Sequence, residues 1–164
     1  MRIHATGNAG SGKSTLAALI GESLGLPVKG MDEIVWMPGW EKTPAEERKV
    51  LEKALISGSS WVIDGVSPTV RSAADVVIFL DVSRPTSYFR CAKRNWRYMF
   101  RSRPGLPPHC PEILIVPRLI RLIWNFTARV KPQILADMQQ AKGQFFHVTN
   151  KNELNTVLHE LGVH

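Results

Sequence analysis

Cysteine is scarce in this 164-residue chain: Cys91 and Cys110 are too far apart for a C-x-x-C pair and too few for a structural zinc site, although His109 adjoins Cys110. Neither a disulfide scaffold nor a zinc module is expected, only two reduced thiols. A long uninterrupted apolar run is missing as well. The most apolar stretch, ILIVPRLIRLIW, is broken by Pro117, Arg118 and Arg121, whereas a membrane-spanning helix needs about 20 predominantly apolar residues. The first strand pattern starts at Arg2, so no signal peptide is expected before it, and the chain reads as cytoplasmic with no membrane partner. Acids are missing from one region in particular. Residues 84–131 carry eleven Lys or Arg against the single acid Glu112, a local charge of +10, while the rest of the chain sums to −3. A mildly acidic body with one strongly basic insert points to the handling of anions.

What is present is an alternation. Five short apolar runs, RIHAT (2–6), PVKGM (27–31), WVID (61–64), DVVIFLD (75–81) and QFFHVT (144–149), are separated by helical patterns. This predicts an α/β fold with a parallel sheet. No internal repeat or low-complexity segment interrupts it, and the length suits one domain over residues 1–164. After the second run, TPAEERKVLEKALISG opens as a capping box, with Thr43 at the N-cap, Pro44 at N1 and Glu46 at N3. Val50, Leu51, Ala54 and Leu55 are its expected buried stripe. After the fifth run, NELNTVLHELG offers Leu154, Val157, Leu158 and Leu161 in the same role.

The first run leads directly into GNAGSGKST, which fits G-x-x-x-x-G-K-[ST]. The nucleotide-binding residues expected from it are Gly7, Asn8, Ala9, Gly10, Ser11, Gly12, Lys13, Ser14 and Thr15. Glycines let the backbone approach an anion, and the helix that follows adds its positive end, with Leu16, Ile20 and Leu24 as its core stripe. Lys13 is expected to reach the β and γ phosphates and Ser14 to ligate Mg²⁺. In open parallel sheets ligands sit beyond the carboxyl ends of the strands. Those ends carry Asp32 with Glu33, then Asp64 with Gly65, then Asp81. Asp32 and Asp64 are candidates for the acceptor or the metal, against helix capping and a plain turn respectively. Asp81 reads as the cap of the helix that starts near Pro85. Trp36 and Trp40, flanking MPG, are candidates to wall the acceptor site.

The fourth and fifth runs are more than sixty residues apart, far more than a crossover needs. Two helical stretches, about 85–100 and about 113–140, fill the gap around the proline-rich RSRPGLPPHCPE. On the first, Arg90, Arg94, Arg97 and Arg101 share a face, and Phe89, Ala92, Trp96 and Met99 or Phe100 line the other. Four arginines on one face repel one another, so an anion to bind makes sense of them.

The loop GNAGSGKST, the segments MDEIVWMPGW and WVIDG, and an arginine-rich insert with HCPE ahead of a Trp-bearing basic helix resemble the adenylate-kinase-like P-loop proteins of the topology-modulation subgroup. The resemblance covers nearly the whole chain. It implies a P-loop NTPase three-layer sandwich with strand order 2-3-1-4-5, ATP with Mg²⁺, and a helical lid over about residues 85–140. Arg90, Arg94, Arg97, Arg101 and Arg103 would be the lid arginines, Arg94 acting on the transferred phosphoryl group, and Asp64 matches the acid that such kinases carry after the third strand. Nucleoside monophosphate kinases continue Asp-Gly with Phe-Pro-Arg. This chain has VSPTVR instead, with Arg71 as the candidate grip on an acceptor phosphate. The expected activity is transfer of the ATP γ-phosphoryl group to a hydroxyl-bearing metabolite or a nucleoside monophosphate. Two rivals stand beside it. The basic segment 84–131 could bind a nucleic-acid backbone, with Trp96, Tyr98 and Phe100 stacking on bases. NKNE at Asn150–Glu153 approaches the guanine-reading N-K-x-D of GTPases, although Asp64 lacks a D-x-x-G glycine because Ser67 stands there.

Overall fold

A computed structural model describes residues 1–100, 102, 106–140 and 143–163. The elements in chain order are β1 (Arg2–Gly7), α1 (Lys13–Leu24), β2 (Val28–Gly30), α2 (Asp32–Val35), β3 (Trp36–Met37), β4 (Glu41–Lys42), α3 (Ala45–Ile56) and β5 (Trp61–Asp64). They continue with α4 (Pro68–Ala73), β6 (Val76–Leu80), α5 (Arg84–Arg97), α6 (Glu112–Arg129), α7 (Lys131–Gln140), β7 (Gln144–Val148) and α8 (Lys151–Glu160). All five apolar runs are strands of one parallel sheet in the order β2-β5-β1-β6-β7, which is the implied order 2-3-1-4-5 of the runs. A small antiparallel hairpin, β3 with β4, stands apart from it.

Side chains alternate across a strand, so each central strand feeds two cores. Ile3, Ala5, Val62 and Ile78 meet Leu16, Ala17 and Ile20 of α1 and Val157 of α8 on one face. On the other, Trp61 and Ile63 pack with Met31 and Val70, and Phe79 packs with Phe126 of α6 and Ile134 of α7. Truncating the larger of these side chains, such as Ile3, Ile20, Ile63 or Phe79, to Ala costs about 2–5 kcal/mol. Among the described residues, no helix is long and apolar enough to cross a membrane.

Several local expectations are corrected. Pro44, not Thr43, caps α3, and it makes no side-chain cap hydrogen bond; Thr43 is buried instead. The contact face of α3 is also rotated: Leu55 and Ile56 reach the core while Val50 and Leu51 are exposed, because α3 covers the sheet only through its last turn. The second helical stretch of the insert is two helices that meet at Val130. Asp81 does not cap α5. Its carboxylate accepts from Lys131 Nζ at 2.7 Å and pairs with His147 Nε2 at 2.8 Å, because β7 and the start of α7 converge there. Desolvation pushes Asp81 up, but Lys131 and His147 outweigh it and hold the carboxyl below its ordinary range. NKNE is a helix cap: Asn150 accepts from the Glu153 N–H at 3.0 Å, and the Glu153 carboxylate folds back onto the Thr149 N–H at 2.6 Å. That acid is engaged in a capping box and is not extended to read a base.

Candidate active site

The carboxyl ends of β1, β2 and β5 open onto a cleft of about 570 Å³ lined by loop, hairpin and insert. Its floor is the glycine loop between β1 and α1. Gly12 caps α1, and no acid in the first turn and no side-chain cap neutralises that helix end. Its N–H groups and dipole therefore face the cleft as a ready anion site. Gly10 has φ 74°, and a Cβ there would lie 2.6 Å from the Ser87 carbonyl oxygen, so only glycine lets the loop seat against α5. Asn8 and Ser11 are buried and do not line the cleft. The Asn8 amide donates to the Ile123 carbonyl of α6 at 3.1 Å, and Arg90 of α5 donates to the Ser11 carbonyl at 3.1 Å. The insert thus grips the loop from two helices.

Lys13 donates to the Asn8 carbonyl at 2.8 Å. Desolvation holds it below the ordinary lysine range, with Asp64 and Asp32 pulling the other way, so both carboxylates are electrostatically coupled to this ammonium. Ser14 Oγ donates to Asp64 at 2.5 Å, joining two hard oxygens at the mouth of the loop. The turn after β5 is tightly built. A Cβ on Gly65 would lie 2.4 Å from Met31 Cβ, the Gly65 N–H donates to the Ala5 carbonyl at 3.1 Å, and His4 Nε2 donates to the Gly65 carbonyl at 3.1 Å. His4 is wholly buried, and desolvation, helped by the charges of Arg71 and Lys13, pushes it down to about 3. It is a neutral histidine beneath the cleft.

Asp32 opens α2 and lines the cleft, but it is not the helix cap, a position that Met31 holds. Trp36 and Trp40 meet edge to face at 5.3 Å, and Trp40 Nε1 donates to the Pro111 carbonyl at 2.8 Å. The hairpin is thereby docked on the start of α6, where Cys110 and Ile115 complete a small core. The segments WMPGW and HCPE, some seventy residues apart, form one wall.

Of the arginines expected on one face, Arg90 and Arg94 line the cleft, while Arg97, one turn further along α5, is exposed outside it. Arg101 and Arg103 lie outside the described residues. On the opposite face of α5, Phe89 and Trp96 are 70% and 77% exposed, because the helix leans its cationic edge on the loop. Arg71 does not enter the cleft. It is buried at the end of α4, where its Nε donates to Asp137 of α7 at 2.7 Å, so it serves helix packing. The expected residues that the cleft gathers are Gly7, Ala9, Gly10, Gly12, Lys13, Ser14, Thr15, Asp32, Trp36, Trp40, Asp64, Arg90 and Arg94. Sequence reasoning missed Lys42, Glu112 and Arg118, which also line it. Glu112 is buried 3.8 Å from Arg94. Its signal was available, as the one acid among eleven bases.

No protein-family model and no curated protein matches the sequence. Solved structures do. A shikimate kinase from Acinetobacter baumannii in complex with shikimate superposes with a TM-score of 0.59 at 15% identity, covering 98% of this chain and 92% of that one. A deoxyadenosine kinase from M. mycoides with bound dATP gives 0.52 at 17% identity, covering 99% and 100%. A sugar kinase from a Janibacter species gives 0.54 at 16%, covering 98% and 94%. At such identities the likeness speaks for architecture, and on it, with the five-stranded parallel sheet and the glycine loop at the end of β1, the chain has the α/β fold of the P-loop kinases.

Proposed function

We propose that this protein is an ATP-dependent small-molecule kinase. The observation that carries the reading is one convergence: a glycine loop at an uncapped helix N-terminus, the Ser14–Asp64 pair, Asp32, and two arginines of the insert share a single cleft. In this reading the loop amides from Gly7 to Thr15 and the Lys13 ammonium hold the β and γ phosphates. Ser14 and Asp64 would hold Mg²⁺, since both present the hard oxygen donors that this ion prefers, side by side at the mouth of the loop. That ion, when bound, neutralises phosphate charge. Asp32 orients the acceptor hydroxyl and takes its proton as the oxygen bonds the γ phosphorus and the bond to ADP breaks. Arg90 and Arg94 stabilise the charge on the transferred group.

Residues 1–164 act as one domain in this reading, and about 85–140 as a lid, to which Arg101 and Arg103 would belong. Within P-loop kinases we assign the chain to the topology-modulation subgroup and to the cytoplasm, on the resemblance of its WMPGW and HCPE segments. Calorimetry with ADP and Mg²⁺ tests the donor side: binding is expected in the wild type and loss of it in Lys13→Ala. A wild-type protein that ignores millimolar ADP sinks the kinase reading. Proteolysis tests the lid, with cleavage between 90 and 120 expected to slow when an ATP analogue is added. Nucleic-acid binding is the second reading, favoured by Trp96 and Phe100, which are 77% and 82% exposed beside the exposed Lys93 and Arg97. Its mark is affinity for random duplex that falls by orders of magnitude from low to moderate salt.

A further inference from the structure

The cations of the cleft fall into two groups. Lys13, Arg90 and Arg94 are engaged on the donor side, with the Asn8 carbonyl, the Ser11 carbonyl and Glu112 respectively. Lys42 and Arg118 line the opposite wall, and among the described residues neither forms an ion pair. Both flank one indole. Lys42 is the cross-strand partner of Trp36 in the hairpin, which brings their Cβ atoms within about 5 Å. The Arg118 guanidinium lies 5.4 Å from the centre of the Trp36 ring, and its Nη1 donates to the Trp40 carbonyl at 3.4 Å.

This wall is rigid. Trp36 is wedged by the edge of Trp40, and Trp40 is pinned by its bond to Pro111. Trp40 also holds φ 62°, a left-handed conformation that a bulky residue adopts at a cost of about 1–3 kcal/mol and that persists only where the surroundings enforce it. The contact with the Trp36 ring and the bond to the Trp40 carbonyl hold the Arg118 guanidinium and leave most of its five N–H donors for other partners. Two cations held beside one ring repel each other, and an anion between them removes that repulsion. Between this wall and the loop the lining is apolar, from Val35, Ile115, Leu119, Leu122 and Phe126. Asp32 stands four residues before Trp36, about 6 Å at the helical rise.

We propose that the acceptor is a compact, partly apolar molecule carrying a hydroxyl and, about one ring-width away, an anionic carboxylate or phosphate that Lys42 and Arg118 hold against Trp36. This deepens the kinase reading and rests on it. Arg118 thus takes the part that the sequence suggested for Arg71. The anion anchors one end of the acceptor, and Asp32 receives the hydroxyl at the other. A carboxylate near Asp32 would be repelled, so the two ends are not interchangeable.

The test uses the full chain with ADP and Mg²⁺ present. Thermal shift and calorimetry compare three probe sets: cyclic hydroxycarboxylic acids such as shikimate, quinate and 4-hydroxybenzoate; AMP, CMP and glucose 6-phosphate; and the neutral amides, nucleosides and glucose that match them. An anionic probe is expected to bind where its neutral partner does not, and which of the first two sets responds tells carboxylate from phosphate. Turnover of that probe with ATP should then show KM raised about 10- to 100-fold in Arg118→Gln and less in Lys42→Gln, the worth of a charge-assisted hydrogen bond, with ADP affinity held within twofold. Arg118→Lys, which keeps the charge and loses the fork, should fall between. Lys42 is exposed, so its variant reports without a folding defect. Neutral probes that bind as tightly as anionic ones overturn the proposal, as does a protein that binds ADP and no anionic probe at 10 mM. Phosphate transferred to the anionic group itself, with AMP giving ADP, also overturns it. Failure to bind ADP is a different result and removes the kinase reading instead.

Discussion

The two halves of the cleft are built in opposite ways. The donor half centres on nine consecutive residues, Gly7–Thr15, whose geometry follows from glycines and one helix start, with Arg90 and Arg94 of α5 added to it. The acceptor half draws Asp32 from α2, Trp36 and Lys42 from the hairpin, and Arg118 from α6, residues spread over more than eighty positions. A local site tolerates change elsewhere in the chain, whereas an assembled one depends on every contact that docks its parts. The contrast teaches where specificity can vary without touching phosphate chemistry.

Breaking the acceptor half should give the largest effect. Asp32→Asn is nearly isosteric and should keep ADP affinity while phosphoryl transfer drops about 10²- to 10⁴-fold, read by ADP release with a bound acceptor. Wild-type turnover would shift the acceptor role to Asp64. The complementary break is Lys13→Ala, expected to keep the fold by circular dichroism and lose about 10²- to 10³-fold in turnover, because the loop amides remain while the mobile charge is gone. Both halves rest on His4, and acid should reveal it. Its proton affinity in the fold, pushed down to about 3, lies below the 6.5 of the unfolded chain. The unfolded state therefore takes up the proton first as pH falls, and stability declines below pH 6.5. Urea unfolding should show about 2 kcal/mol less stability at pH 5 than at pH 7 from this group, and His4→Gln should flatten that slope. An unchanged slope in the variant would mean that the acid sensitivity lies elsewhere. The smallest effect belongs to Asp81→Asn, away from the cleft. About 1 kcal/mol of stability should be lost at neutral pH, and the difference from wild type should vanish as acid protonates the wild-type carboxylate.

The same contrast governs what was legible in the sequence. The strands and the loop were legible because period-2 apolar runs and a fixed glycine spacing act within a few residues. The face of α3 was not: its apolar positions Val50 and Leu51 look inward by periodicity, yet only its last turn meets the sheet. Asp81 and Arg71 were misread for a related reason. Each has a partner from α7 or β7, Lys131 with His147 and Asp137 respectively, about fifty to seventy residues downstream, and sequence offers no signal for such pairs. Arg118 was read only as an interruption of an apolar run, since its indole partner lies 82 positions earlier.

The bond from Trp40 to Pro111 ties the two ligands' affinities together. It makes the hairpin and the head of α6 a single body, and that body also holds the glycine loop through the Asn8–Ile123 contact. A nucleotide that shifts the loop must therefore act on the acceptor wall, and an acceptor that shifts the wall must act on the loop. Thermodynamic linkage makes the two effects equal, so the factor by which ADP alters acceptor affinity is the factor by which acceptor alters ADP affinity. Trp40→Phe, which keeps the ring and removes the N–H, should shrink that shared factor toward one while each ligand still binds alone.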